Sequence, residues 1–213
     1  LGACEMIFAQ ISVGKMENYS YLFADPVSHE GLLIDPAFDH DKILAMIRDN
    51  GINLTHIVLT HHHFDHINAT AQIKAHTGAE VICHRETAPL LHGGASYDRL
   101  IDDGFSFKIG SSIKAICLHT PGHAPGSLCI VVNDMYLVTA DTLFIGDCGR
   151  ADLPGSDPAA LFASLQRLKS LPDHLIVCPG HNYGPVPTRS LGEEKRSNRT
   201  LLAANLEEFY KLP

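Results

Sequence analysis

Short apolar runs, bounded by polar or glycine residues, recur along the chain and predict β-strands. In the first half, the predicted strands cover residues 6–11, 19–24, 31–34, 56–60 and 80–83. In the second half, they cover residues 105–109, 112–119, 127–132, 135–139 and 175–178. Strands therefore dominate the middle of the chain.

Between the strands, apolar residues at helical spacing predict amphipathic helices. Ile43 and Ile47 share one face of the first helix, which Asp39 or Asp41 can cap and Gly51 can end. The other predicted helices cover about 68–76, a segment that opens at Pro158, and most of 191–212.

The order of these elements predicts the α/β fold class. Strands, helices, strands and helices follow one another with no linker and no obvious internal repeat. This order suggests a layered domain in which helices cover two packed sheets. The length of 213 residues fits one domain, covering 1–213.

Composition and charge exclude several classes of protein. Apolar residues make up 45% and charged residues 19% of the chain, which excludes disorder and coiled coil. The net charge is −8, and the longest basic run is Lys195-Arg196. Nucleic acids and anionic membrane surfaces bind clustered positive charge, so we expect neither as a partner. No apolar stretch approaches the roughly 18–20 residues of a membrane span.

The six cysteines are scattered along the chain and form no CxxC pair. Several lie in strand-like apolar runs, where a reduced cysteine packs as a small apolar side chain. This pattern predicts reduced thiols and a cytoplasmic location.

Histidine is unusually frequent, with 14 residues in the chain. An HHHFDH sequence at 61–66 directly follows a predicted strand. Because a strand points alternate side chains the same way, His61 and His63 can converge on one cation beyond the strand end. Asp65 and His66 follow in the predicted turn and can bind a second cation. His62 should point away if the segment stays extended.

Three more candidate ligands stand at boundaries between strands and loops. They are His123 in TPGHAPG, Asp141 in TADTLF and His181 in PGHNYG. Each residue alone would more often be a surface, core or capping residue. As a set with the HHHFDH sequence, five imidazoles and two carboxylates are suited to paired zinc, iron or manganese ions.

The HxHxDH motif, followed by single His, Asp and His residues in that order, resembles the metallo-β-lactamase superfamily. The resemblance covers nearly the whole chain and implies a four-layer αββα sandwich. Within the superfamily, ADTLF at 140–144 and DCGR at 147–150 look like the glyoxalase II, or hydroxyacylglutathione hydrolase, branch.

The resemblance also implies which residues hold metal. Two divalent ions are expected, with zinc favoured and iron or manganese as alternatives. The first would be held by His61, His63 and His123. The second would be held by Asp65, His66 and His181, with Asp141 bridging the two.

The implied reaction is hydrolysis of a small-molecule thioester by a metal-bound hydroxide. Asp65 is the expected catalytic residue, because it would orient the hydroxide by hydrogen bonding. Arg150 and Tyr183 match substrate-binding positions of the glyoxalase II branch. Asp152 stands where that branch has a tyrosine, which leaves open whether glutathione is the thiol.

Two other functions stay open. The segment GRAD at 149–152 and the tail at 193–209 also look like persulfide dioxygenases, which use one iron on residues matching His61, His123 and Asp141. A metal-binding relative without catalytic activity is the third reading. The oligomeric state is open as well, with a homodimer as one option.

Overall fold

The computed structural model describes residues 5–212 and contains two six-stranded sheets. The first sheet holds the strands of the first half of the chain, each beside the next in sequence. They are β1 (Ile7–Val13), β2 (Asn18–Ala24), β3 (Glu30–Ile34), β4 (Asn53–Leu59), β5 (Glu80–His84) and β6 (Arg99–Ile101). The first three strands pair antiparallel, whereas the pairs from β3 to β6 are parallel.

The second sheet holds the remaining strands, again in chain order. They are β7 (Ser106–Ile109), β8 (Ile113–His119), β9 (Leu128–Val132), β10 (Tyr136–Ala140), β11 (Ile176–Pro179) and β12 (Arg189–Ser190). All neighbours pair antiparallel except β10 and β11, which are parallel. The carboxyl ends of β10 and β11 therefore lie side by side.

Seven α-helices connect or follow the strands within the described residues. They are α1 (His40–Asp49), α2 (Phe64–Ile67), α3 (Thr70–Thr77), α4 (Pro158–Lys169), α5 (Leu191–Ser197), α6 (Arg199–Leu202) and α7 (Leu206–Tyr210). None of these helices is long and apolar enough to cross a membrane. Pro158 occupies the first turn of α4, and the Asp157 carboxylate accepts hydrogen bonds from Ala159 N and Ala160 N.

The four-layer αββα sandwich is confirmed by how the strands distribute their side chains. Leu32 and Ile34 of β3 face the second sheet, whereas Leu33 between them faces the helices, and all three are fully buried. Helices α1 and α3 pack against the outer face of the first sheet through residues such as Ile43 and Ile73. Helices α4, α6 and α7 cover the second sheet.

The two sheets enclose an apolar core. Even a small loss of side-chain volume there should lower the free energy of unfolding measurably. Ile130 of β9 is fully buried there among residues of both sheets. We expect Ile130→Val to lower the free energy of unfolding by about 1 kcal/mol, because it removes one buried methylene. Chemical denaturation measures this change. Val27→Ala, at a side chain that is 73% exposed, is the control and should stay within about 0.5 kcal/mol of the parent.

Several local predictions were wrong or incomplete. Asp39 does precede α1, but its carboxylate accepts a hydrogen bond from Gly14 N at 2.8 Å and caps nothing in the helix. Strands β6 and β12 were not predicted, because each is only a short segment of sheet edge. The predicted C-terminal helix is divided into α5, α6 and α7. The five described cysteines are free, and Cys4 lies outside the described residues.

Candidate metal centre

The end of β4 places the first two histidines. No helix or strand covers residues 60–63, and the backbone of His63 is extended. His61 and His63 both reach the same cluster, and their ring centroids lie 4.7 Å apart. His61 Nδ1 lies 3.0 Å from Thr60 Oγ1, and Thr60 Oγ1 in turn donates to Asp35 Oδ2 at 2.6 Å. Because the Thr60 hydroxyl proton is used by Asp35, His61 Nδ1 is the donor to Thr60. Its Nε2 lone pair is left for the cluster.

The next two residues, Asp65 and His66, lie on α2, a single helical turn at the position where the sequence predicted a turn. His66 Nδ1 donates to Asp35 Oδ2 at 3.0 Å, which directs His66 Nε2 into the cluster. Asp65 Oδ2 accepts from Asn18 Nδ2 at 3.0 Å. Both side chains are buried.

The second sheet contributes the remaining three residues at its strand ends. His123 lies in the loop between β8 and β9, Asp141 follows β10, and His181 follows β11. His123 Nδ1 donates to the Arg150 carbonyl and His181 Nδ1 to the Met16 carbonyl, each at 2.8 Å. These bonds leave both Nε2 lone pairs facing the cluster.

The ligand atoms form two triads with one carboxylate between them. In the first triad, His63 Nδ1 and His123 Nε2 are 3.0 Å apart, and His61 completes the group. In the second, His181 Nε2 lies 3.2 Å from His66 Nε2 and 3.4 Å from Asp65 Oδ2.

Asp141 lies between these triads. Its Oδ1 is 3.3 Å from His66 Nε2, and its Oδ2 is 3.5 Å from His123 Nε2 and 3.4 Å from His181 Nε2. One carboxylate is therefore within reach of both groups, as a bridging ligand would be.

The donor set fits divalent metal ions. His61 Nε2 and Asp141 Oδ1 are buried without a hydrogen-bond partner, which is costly unless another group binds them. Ligand atoms about 2.0–2.2 Å from a tetrahedral ion lie about 3.3–3.6 Å from one another, close to the spacings observed here. Imidazole and carboxylate together suit zinc, iron and manganese.

The protonation states of His61, His63 and Asp65 agree with this role. Burial lowers the pKa of His61 far below its usual value and that of His63 to about 4, so both imidazoles are neutral. Burial alone would raise the pKa of Asp65. Hydrogen bonds from His181 and Asn18, together with the charge of His66, instead hold it below its usual range. The site thus presents neutral imidazoles at His61 and His63 and an ionised carboxylate at Asp65. Burial would lower the pKa of His66 and of His181, but the Asp141 carboxylate beside both rings raises it, to about 9 for His181.

Comparison with known proteins agrees with the fold. Residues 14–181 match the sequence profile of the metallo-beta-lactamase superfamily. The chain belongs to this superfamily.

Relatives within the superfamily have several described activities. The chain is 37% identical to a hydroxyacylglutathione hydrolase of Polaromonas over 84% of its own length and 67% of the relative's. It is 31% identical to BaeB of Bacillus velezensis, a probable polyketide biosynthesis zinc-dependent hydrolase, over 90% and 85% of the two chains. The crystal structure of ETHE1 from Myxococcus xanthus superposes with a TM-score of 0.87 at 31% identity and covers 98% and 92%. These relatives fit the glyoxalase II and persulfide dioxygenase branch.

A cavity of about 500 Å³ opens from the candidate ligand cluster of this metallo-beta-lactamase domain. Much of its wall is apolar. The apolar and aromatic lining residues are Met16, Phe64, Phe144, Leu153, Pro154 and Tyr183. Phe64 and Tyr183 are each more than half exposed, so they form the mouth of the cavity. The cavity can receive a partly apolar small molecule with its reactive group at the cluster.

The two predicted substrate-binding residues both line this cavity. The Tyr183 ring stacks on the His181 ring with centroids 4.6 Å apart and planes within 11°. Arg150 lies in the loop between β10 and α4, and its guanidinium forms an ion pair with the Asp152 carboxylate. The structure therefore places both residues at the cavity, but gives Arg150 a partner that the sequence alone did not predict.

Asp35 and Asn18 were missed by the sequence analysis. Asp35 accepts bonds from Thr60 N, Thr60 Oγ1 and His66 Nδ1, so one carboxylate orients two candidate ligands of the centre. Asn18 donates to both the carbonyl and the carboxylate of Asp65. An available signal was the position of Asp35 immediately after the apolar run of β3 and before Pro36.

Proposed function

We propose that the protein is a dinuclear metallohydrolase that cleaves a small-molecule thioester. The supporting observation is the pair of ligand triads that share Asp141, because this carboxylate is within 3.3–3.5 Å of histidines from both triads. A site for one metal needs only half of this buried set. The similarity to hydroxyacylglutathione hydrolases supports the thioester as substrate.

Bound divalent cations at the two triads would lower the pKa of a shared water toward neutrality and polarise the substrate carbonyl. His61, His63 and His123 would hold the first ion, and Asp65, His66 and His181 the second. Asp65 keeps its charge and accepts from Asn18, so its carboxylate can orient the attacking water. The protein groups thereby fix the direction of attack.

A thioester suits a site of this kind. Its leaving group is a thiolate, whose conjugate thiol has a pKa of about 8.5, so departure needs no general acid. The apolar wall formed by residues such as Phe144 and Leu153 accommodates the carbon skeleton on either side of the thioester. The five free cysteines of the described segment support a reducing cytoplasmic location.

A second candidate function is persulfide oxidation at a single iron. The similarity to ETHE1 of Myxococcus xanthus, which extends over nearly all of both chains, favours this alternative. In that case His61, His123 and Asp141 would be the ligands, and Asp65, His66 and His181 would hold no ion.

Metal analysis combined with two assays distinguishes the two functions. For the hydrolase, we expect about two divalent ions per chain and metal-dependent hydrolysis of S-lactoylglutathione. The hydrolysis is monitored as a decrease in the absorbance of the thioester. For the oxygenase, about one iron per chain and oxygen consumption with glutathione persulfide are expected. One iron per chain without thioester hydrolysis would refute the hydrolase proposal, and a protein with neither activity would refute both.

A further inference from the structure

The segment that follows β10 turns back on itself and has both of its ends at the candidate metal centre. It begins at Asp141, the carboxylate between the two triads. It reaches Arg150, whose carbonyl accepts from His123 Nδ1 at 2.8 Å. Between these ends, Leu143 and Cys148 form an antiparallel bridge, so the segment is a hairpin. We call the segment from Asp141 to Arg150 the ligand loop, because a shift of it moves one candidate ligand and the group that orients another.

The tip of the ligand loop also contacts the second triad. The Phe144 ring meets the His181 ring edge to face, with centroids 5.9 Å apart. The backbone of Gly184 packs closely on the next residue of the tip, since a Cβ added to this glycine would lie 2.6 Å from Ile145 Cβ. The position of the tip is therefore coupled to the segment that carries His181, and the ligand loop as a whole reaches both triads.

Asn198 holds the tip of the ligand loop from the C-terminal part of the chain. This residue lies between α5 and α6 and is fully buried. Its Nδ2 donates to the Phe144 carbonyl at 3.1 Å and to the Asp147 carbonyl at 3.0 Å. Its Oδ1 accepts from Thr200 N and Thr200 Oγ1 and so caps α6. The nitrogen of the side-chain amide thus holds the ligand loop, whereas the oxygen caps the helix.

Glu194 of α5 completes this anchor. Its fully buried carboxylate accepts from Gly146 N and from Asn198 Nδ2, each at 2.8 Å from Oε2. The other oxygen, Oε1, lies 3.3 Å from Arg189 Nη1, which supplies the opposite charge. A buried carboxylate is costly unless it is paired and hydrogen-bonded. Because the ligand loop provides one of these bonds, the positions of the anchor and of the loop depend on each other.

We propose that Asn198 and Glu194 are positioning residues of the candidate metal centre, which act through the ligand loop. Neither residue lines the metal cavity or belongs to the seven candidate ligands. By fixing the tip of the loop, they fix Asp141 and the Arg150 carbonyl at its two ends. Bond lengths between metal and ligand vary by only about 0.2 Å, so a small movement of the loop changes the metal affinity. This inference rests on the metal-binding part of the proposed function, and not on the choice of substrate.

Asn198→Ser tests the proposal, because it separates the two roles of this side chain. Serine is also a good N-cap, so α6 keeps its cap, whereas the donor to the ligand loop is lost. We expect the dissociation constant for Zn²⁺ to rise about 10-fold, since loss of groups that orient metal ligands typically costs about 10- to 100-fold in metal affinity. Competition with a chromophoric chelator measures this constant on the folded apoprotein. The absorption spectrum of bound Co²⁺, which depends on ligand geometry, should change as well.

Two further variants distinguish positioning from an effect on stability alone. Glu194→Gln can still present an oxygen to Gly146 N and Asn198, and it loses only the charge that faces Arg189. It should lower the melting temperature but keep the Zn²⁺ affinity within about 3-fold of the parent. Asn205→Ala is the matched control, because it removes a buried-chain amide of the same type that caps α7 instead of holding the ligand loop. It should lower the melting temperature and leave the Zn²⁺ affinity and the Co²⁺ spectrum unchanged.

The outcomes separate this inference from the proposed function. A folded Asn198→Ser protein with the parental Zn²⁺ affinity and Co²⁺ spectrum would overturn the positioning role and leave the metallohydrolase proposal intact. A parent protein that binds neither ion would overturn both. If the serine variant does not fold, Asn198→Thr takes its place, since threonine also caps a helix and fills more of the buried volume. The same comparison with the parent then decides the proposal.

Discussion

Asp141→Ala should abolish thioester hydrolysis and lower the metal content from about two ions per chain to one or fewer. Asp141 is the carboxylate within reach of both triads, and burial leaves its Oδ1 with no other partner. Loss of metal catalysis worth several kcal/mol corresponds to a decrease of about 1,000-fold or more in kcat/KM. Elemental analysis and steady-state kinetics on the same preparation measure both effects.

Two variants make this result interpretable. Asp49→Ala removes an exposed aspartate that pairs with Arg48 on α1, and it should retain full activity and metal content. Asp141→Asn preserves the volume but loses the charge, so it should bind metal more weakly than the parent protein. A folded Asp141→Ala protein with two ions and normal turnover would show that Asp141 does not bridge.

Gly149→Ala should reduce activity at least about 100-fold, although residue 149 is no candidate ligand. A Cβ added at Gly149 would lie 1.8 Å from the Asp141 carbonyl oxygen and 3.0 Å from His123 Nδ1. The first separation is impossible, so the loop or Asp141 must move. A displacement of about 1 Å at reacting groups costs on the order of 100-fold in rate. Kinetics with metal-loaded protein measure the loss.

Gly146→Ala in the same loop is the control. An added Cβ there meets nothing within 4 Å, but φ is +84°, so the cost is backbone strain of about 1–2 kcal/mol without displacement of the site. We expect a lower melting temperature and nearly normal turnover. Equal losses of activity in the two variants would indicate that the loop, and not the contact with Asp141, is responsible.

The sequence predicted best those strands that are continuous apolar runs. The apolar runs of β2, β3, β9 and β10 matched observed strands, because both faces of these strands are buried and leave few polar interruptions. The HHHFDH sequence indicated the cluster because a strand end fixes the direction of alternate side chains.

The features that the sequence did not predict depend on contacts between distant segments. Asp35 orients His66 across 31 positions, and Asn18 reaches Asp65 across 47, so no local spacing reveals either bond. The Asp39 carboxylate accepts from Gly14 N, 25 positions away, instead of capping α1, and no local spacing predicts that bond either. The Arg150–Asp152 pair is local, but a sequence does not specify which rotamer an exposed side chain adopts, so the pair is visible only in the folded structure.

The seven candidate ligands come from both sheets of the sandwich. His61, His63, Asp65 and His66 follow β4, whereas His123, Asp141 and His181 follow strands of the second sheet. Neither half of the chain can assemble the centre by itself, so metal uptake must come late in folding, after the sheets have docked. The free energy of metal binding then adds to the stability of the docked state. If the seven residues hold metal as proposed, removal of the metal should lower the melting temperature as well as the activity.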